Sequence, residues 1–299
     1  MSFLLTFLVS LCTLASLPAL ATEKQPKQHR KLLIISDIDD TLRPTHVRST
    51  SDAVLNAYRM TPFKGMARLY TQLICHDLLT PDERAACIIS RGRSLRGTSK
   101  ENLVYYVTGF PQLSTIQKFL RYNHFPLNGG IRSKPFYEDT LDFKIEKHEE
   151  IIRRFPNHHI IVIGDNGQKD RSVYAHLKRK YRHISIFVRQ LYADKTPVHS
   201  QYIPFISYFD LANHLLALGF LQADDVHSLA LLNGNGPNEG FGTNHLVDWE
   251  NCTSFFRWFS RLGKSDYYYQ EPGHLWHETP ALLAGLIENF EEFLAHRCR

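Results

Sequence analysis

The sequence predicts an α/β fold, a parallel sheet covered by helices on both faces, and three observations carry that prediction. Lys31-Leu32-Leu33-Ile34-Ile35-Ser36 is an apolar run without polar alternation that leads straight into Asp37-Ile38-Asp39-Asp40-Thr41. An unbroken run of this kind suits a central strand buried on both faces. Further apolar runs at 103–109, 159–165 and 184–188 alternate with stretches of helical period, the order that builds right-handed crossovers. Finally, the runs around 31, 103 and 159 end on polar groups, where sheets of this type bind ligands.

With 299 residues and 43% apolar composition, the chain can bury a full core, so disorder is not expected. Residues 2–21 are uncharged and end in Pro18-Ala19-Leu20-Ala21, which reads as a secretory leader cleaved after Ala21. A retained anchor is the rival, since roughly 20 apolar residues can span a bilayer. Hydroxyl residues inside the run and the proline before the small residues favour cleavage. The expectation is an exported protein, periplasmic or secreted, or else held at a membrane.

Without Cys12, the chain keeps Cys75, Cys87, Cys252 and Cys298, an even number suited to an oxidising compartment. Pairing Cys75 with Cys87 and Cys252 with Cys298 keeps each bridge within one segment, but all three connectivities stay open. There is no C-x-x-C pair, which argues against structural zinc. A net charge of +5 favours an anionic substrate or surface, yet it is spread along the chain, and no nucleic-acid partner is expected.

The elements follow in order. After a polar spacer at 22–30 and the strand into Asp37 comes a polar stretch at 43–52. Phe63, Met66, Leu69, Tyr70, Leu73 and Ile74 then recur at helical spacing, predicting a helix that starts near Thr61-Pro62. It belongs to a small insertion at about 43–85 that is placed to cap a site. Cys87-Ile88-Ile89-Ser90 reads as a short strand, and Arg91-Gly92-Arg93-Ser94-Leu95-Arg96-Gly97 as a solvated loop or, alternatively, a phosphate contact. Leu103-Val104-Tyr105-Tyr106-Val107-Thr108-Gly109 is a strand, followed by a helix at 112–122. A helix at 143–155 carries Lys144, His159-Ile160-Ile161-Val162-Ile163-Gly164-Asp165 is the third strand, 171–181 is helical, and 184–188 is the fourth strand.

Beyond about residue 200 no further alternation is predicted, giving a main domain at 22–200 and a mainly helical extension at 201–299. The extension holds helices at 211–221 and 280–296, with a turn-rich break at 233–238 between them. It also holds Leu246, Trp249, Phe255, Phe256, Phe259 and Leu262 flanked by Arg257, Arg261 and Lys264. That stripe is expected to pack the tail onto the main domain. Peripheral membrane contact is its other reading.

The strand ends offer Asp37 with Asp39, Thr108, and Asp165 with Asp170 beyond it, while Lys144 lies on the helix before Asp165. If the chain stays extended past Asp37, Asp37 and Asp39 point the same way, about 6.5 to 7 Å apart. Clustered carboxylates without a histidine motif suit a hard cation with oxygen ligands, Mg²⁺ above all. A hydroxyl and an ammonium suit a transferring phosphoryl group. Charge explains the combination: two unit charges about 4 Å apart repel by roughly 4 kcal/mol at an effective dielectric of about 20, so a carboxylate nearing a phosphate dianion needs cations beside it. Each piece alone has a plainer reading, as a helix cap, a strand-end hydroxyl, a solvated lysine or a turn. Order and spacing together point to chemistry at phosphorus.

Taken as four ordered motifs, Asp37-Ile38-Asp39-Asp40-Thr41, Thr108, Lys144 and Gly164-Asp165-Asn166-Gly167-Gln168-Lys169-Asp170 resemble those of the haloacid dehalogenase (HAD) superfamily, with its Rossmann-like three-layer α/β/α fold. With Tyr105-Tyr106-Val107-Thr108-Gly109-Phe110-Pro111, the chain over about 31–192 is most similar to the catalytic domain of the actin-patch-associated, Mg²⁺-dependent phosphatidate phosphatases and their bacterial relatives. Where relatives often have Ser-Asn-Ser-Pro, this chain has Thr-Gly-Phe-Pro, which keeps the hydroxyl and changes its neighbours.

The resemblance implies that Asp37 is the nucleophile forming an aspartyl-phosphate. Asp39 is implied as acid and then base, a role that requires it to start protonated. Mg²⁺ is implied on the Asp37 carboxylate, the Asp39 backbone carbonyl and Asp165, with Asp170 orienting water or Lys144 from outside that shell. Thr108 is expected to donate to a phosphoryl oxygen, with Gly109 and Lys144 beside the substrate, and Thr41 to fix the nucleophile loop. The substrate is then a phosphate ester, with phosphatidate as the family's suggestion and a soluble phosphomonoester or phosphoprotein as the alternative. A non-catalytic protein using the same fold to engage a membrane or partner is a third reading. Sequence leaves the oligomeric state open.

Overall fold

The computed structural model describes residues 31–45, 56, 58–76, 80–92, 102–167, 169–191, 202–205 and 207–231. Among the described residues, six strands form one parallel sheet: β1 (Leu32–Ser36), β2 (Leu103–Thr108), β3 (Gly130–Ser133), β4 (His159–Asp165), β5 (Ser185–Arg189) and β6 (Ile203–Phe205). Their order is β3-β2-β1-β4-β5-β6. β1 thus lies at the centre, with Ile35 beside Tyr105 of β2 on one side and Val162 of β4 on the other. The chain first builds outward from β1 through β2 and then crosses back to β4, so a crevice opens at the carboxyl ends of these three strands.

Helices cover both faces. Alternate residues of β1 divide between two cores, Leu32 and Ile34 into one, Leu33 and Ile35 into the other. The first core is closed by α1 (Met66–Cys75), α3 (Leu113–Tyr122), α6 (Tyr208–Ala217) and α7 (Ala223–Leu231). The second is closed by α4 (Thr140–Arg154) and α5 (Asp170–Lys180). This is the three-layer α/β/α arrangement expected of the HAD fold. Among the described residues, no helix is long and apolar enough to cross a membrane.

Three expectations need correction. The run Cys87-Ile88-Ile89-Ser90 is not a strand but the end of a helix, α2 (Pro81–Ser90). Thr80 and Glu83 form a reciprocal capping box, Pro81 sits in the first turn, and Arg91 closes the helix at φ 54°. These local signals outweigh β-branched residues, of which only Ile88 and Ile89 are present, with Ile89 80% exposed. The helix Met66–Cys75 begins a turn after Thr61-Pro62, because Gly65 at φ 83° sets its start. A side chain there would collide with the ring of Tyr208.

The alternation also continues past residue 200. β6 pairs with β5, and α6 follows directly. At three residues β6 is too short to carry a periodic signal, as is the four-residue β3, which sequence reading also missed. The pair Cys75–Cys87 is disulfide-bonded, tying α2 to α1. Cys252, Cys298, residues 93–97 of the basic loop, the aromatic stripe and the helix at 280–296 lie outside the described residues.

Candidate active site

The site is assembled from the carboxyl ends of β1, β2 and β4 and the first turns of α4 and α5. Backbone pairing of β1 runs one residue past the strand, Asp37 N–H donating to Ile163 O at 2.9 Å, which fixes the start of the loop. The chain then turns back instead of staying extended: Asp40 adopts φ 59°, its N–H bonds Arg43 O at 2.8 Å, and Leu42 N–H bonds Ile38 O at 2.8 Å. Aspartate tolerates this left-handed backbone better than most residues. Asp40 Oδ1 accepts from the Thr45 N–H at 2.7 Å, closing the loop further.

The two acids that open this loop take different partners. Asp37, Asp165 and Asp170 converge, with one carboxylate oxygen of each within 4.8 Å of the others, and all three are buried. Asp39 lies outside that triad but near enough for its charge to act on Asp37. Its Oδ2 accepts from Thr108 Oγ1 at 2.9 Å, and its Oδ1 pairs with Arg43 at 2.8 Å. The Thr108 hydroxyl also accepts from Phe110 N–H at 3.0 Å, so its proton points to Asp39.

Lys144, one turn into α4 and buried, answers the triad's charge. Its Nζ lies 3.0 Å from Asp37 Oδ1 and 2.5 Å from Asp170 Oδ1. Asp139 positions that helix by capping the Leu141 N–H at 2.7 Å. Asp170 is therefore within the cluster rather than outside it, and Tyr174 O–H donates to its Oδ2 at 3.2 Å. Thr41 donates to Asp165 Oδ2 at 3.3 Å and so links the loops after β1 and β4. Gly109 packs beside Thr140, where an added Cβ would come within 3.0 Å of its methyl group.

Electrostatics follow from this packing. Burial pushes the Asp37 carboxyl up to about 8, opposed by Lys144 and reinforced by Asp170 and Asp39. Asp165 is driven well above the carboxylate range by burial and then by Asp170, Asp37 and Asp40. For Lys144, burial works against the ammonium, but Asp170, Asp37 and Asp165 together hold it above its ordinary value. A lone ammonium cannot neutralise three buried acids. An all-oxygen donor set with excess negative charge fits a hard divalent cation held by Asp37, Asp165 and Asp170.

Sequence reading missed several residues that build the site. Arg43 is fully buried, lies 5.3 Å from the ring centre of Phe119, and holds Asp39 in place. Arg189, fully buried at the end of β5, sits 4.2 Å over the Phe63 ring. Burial lowers its guanidinium to about 10, while Tyr70, Asp165, Asp210 and Asp40 oppose that fall. It was detectable, because a charged residue ending an apolar strand is the signal that marked Asp37 and Asp165. His148 Nδ1–H donates to Lys144 O, 2.6 Å away, and burial lowers its imidazole to about 4.

Comparison with known proteins adds one match. Residues 32–190, more than half of the chain, match the family model described as phosphatidate phosphatase APP1, catalytic domain. No curated protein matches the chain. No solved structure matches it either.

Proposed function

The chain belongs to the family of APP1 phosphatidate phosphatase catalytic domains, phosphoric monoester hydrolases, and on that premise we propose that it is an exported, Mg²⁺-dependent phosphatase acting on phosphatidate. The observation that carries the reading is the convergence of Asp37, Asp165 and Asp170 on Lys144 at the carboxyl ends of β1 and β4. Asp37, Asp165 and Asp170 would hold Mg²⁺, which would supply positive charge against the phosphoryl oxygens and favour the ionised form of Asp37.

The rest is the work of side chains. Asp37 attacks phosphorus, a P–O bond to its carboxylate forms, and the P–O bond to the alcohol breaks. Asp39 gives its proton to the departing alkoxide. Water then attacks the phosphoryl group on Asp37, passing a proton back to Asp39 and releasing inorganic phosphate. Lys144 stabilises the charge that builds on the phosphoryl oxygens. Thr108 and Arg43 set the direction in which Asp39 presents its carboxyl. Export is supported by the leader at 2–21 and by the Cys75–Cys87 bridge, which suits an oxidising compartment.

The test is phosphate release from dispersed phosphatidate and from a soluble aryl phosphate, each with Mg²⁺ and with chelator, for the natural chain and Asp37→Asn. Release that needs Mg²⁺, vanishes in the variant and favours phosphatidate supports the reading. Undiminished release by Asp37→Asn would remove the nucleophile assignment. Turnover of the aryl phosphate alone would leave a phosphatase for soluble esters.

A further inference from the structure

Between β3 and α4 the chain forms a short loop whose tip carries two adjacent aromatic side chains in water, Phe136 at 84% and Tyr137 at 87% exposure. Single exposed apolar side chains are ordinary, but two bulky ones together on an ordered turn carry a hydration cost that the fold does not relieve. The turn is well held. Glu138 N–H bonds Pro135 O at 3.3 Å, and the Lys134 ammonium reaches back to Pro135 O at 3.1 Å and Glu138 O at 2.8 Å. With its centre filled by that ammonium, the loop has no interior to receive the rings.

Both ends of the loop are fastened to the site. At the start, Lys134 N–H bonds Thr108 O at 3.1 Å, and Ser133 Oγ bonds Phe110 O at 2.6 Å. At the finish, Asp139 caps the helix that carries Lys144 and pairs with Lys169 at 2.6 Å, next to Asp170. The tip therefore stands on the rim of the crevice. Tyr58, 59% exposed, belongs to the same rim, meeting Phe110 edge to face at 6.3 Å.

We propose that Phe136 and Tyr137 are the point at which this enzyme enters a lipid surface, bringing the crevice against the headgroups. This rests on the phosphatidate reading above, since a substrate anchored by acyl chains must be met where it lies. The chemistry fits: an aromatic pair, one ring ending in a hydroxyl, suits the boundary between acyl chains and headgroups. Glu138, Asp139 and Asp142 near the tip are largely balanced by Lys134 and Lys169, so the attraction comes from ring burial and not from anionic headgroups.

The experiment compares the full chain with the double variant Phe136→Ser/Tyr137→Ser. Co-sedimentation is measured with phosphatidylcholine vesicles that contain no phosphatidate, and turnover with soluble aryl phosphate. The expected result is a drop in vesicle partitioning of about tenfold or more, the loss of at least one buried ring, with aryl phosphate turnover unchanged. Equal partitioning of the two proteins would overturn the proposal. Because the vesicles lack substrate, tip-dependent binding without phosphatidate hydrolysis would refute the substrate reading and leave the docking site standing.

Discussion

Thr108 and Asp39 are joined across the ends of β2 and β1: the threonine hydroxyl donates to Asp39 Oδ2 at 2.9 Å. Sequence reading had that hydroxyl serve a phosphoryl oxygen. In the folded chain it orients the Asp39 carboxyl, with Arg43 holding the other oxygen. Thr108→Val is expected to lower kcat by about three- to tenfold, the worth of one hydrogen bond. Thr108→Ser should retain most activity. Steady-state kinetics on both variants decide it, and a Val variant altering KM alone would return Thr108 to simple substrate binding.

Metal binding should depend on pH in a definite direction. Asp37 rises from 3.8 to about 8, and Asp165 rises with it, so without a cation the native state binds more protons than the unfolded chain. Stability then falls as pH rises through this window. His148 and His214, held down to about 4 and about 3, contribute the opposite slope, but only below their ordinary 6.5. Between 6.5 and 8 the acids act alone among these groups. Mg²⁺ should therefore raise the melting temperature more near pH 8 than near pH 6.5, where it competes with protons. Equal gains at both values would speak against a cation on the triad.

Gly164 is required by a close approach. A Cβ there would stand 1.4 Å from the Tyr174 hydroxyl oxygen, the group that donates to Asp170. Gly164→Ala should cost about 1 to 3 kcal/mol through overpacking and reduce activity by moving Asp170. Tyr174→Phe should cost only about 1 kcal/mol, one hydrogen bond. Urea denaturation of the two variants tests the ranking, and an Ala variant as stable as the natural chain would contradict it.

The Cys75–Cys87 bridge closes a short loop, with a sequence separation of 12. Its loss should cost about 3 kcal/mol on loop-entropy grounds. The cysteines sit on α1 and α2 and neither contacts the triad, so Cys75→Ala/Cys87→Ala should melt earlier while turning over soluble substrate normally at low temperature. Calorimetry and aryl phosphate release measure the two quantities separately.

Much of the fold was legible because its signals are local. Leu32–Ile35, Val104–Val107 and Ile160–Ile163 are continuous apolar runs, and no surface strand would tolerate them. Where local signals compete, reading failed. Ile88 and Ile89 suggested a strand until the Thr80–Glu83 box and Pro81 claimed the segment for α2. β3 and β6 are too short to show a period, and only pairing with β2 and β5 makes them strands.

The sequence by itself determined the parallel sheet, the residue types gathered at its strand ends, and the order in which they arrive. What it could not determine was direction. Asp37 and Asp39 are two residues apart, yet one pairs with Lys144 and the other with Thr108 and Arg43. Likewise Arg189 became part of the site only when β5 took its place beside β4. Such outcomes depend on contacts between residues far apart in the chain, whose energies exist only after the sheet has brought them within a few ångströms.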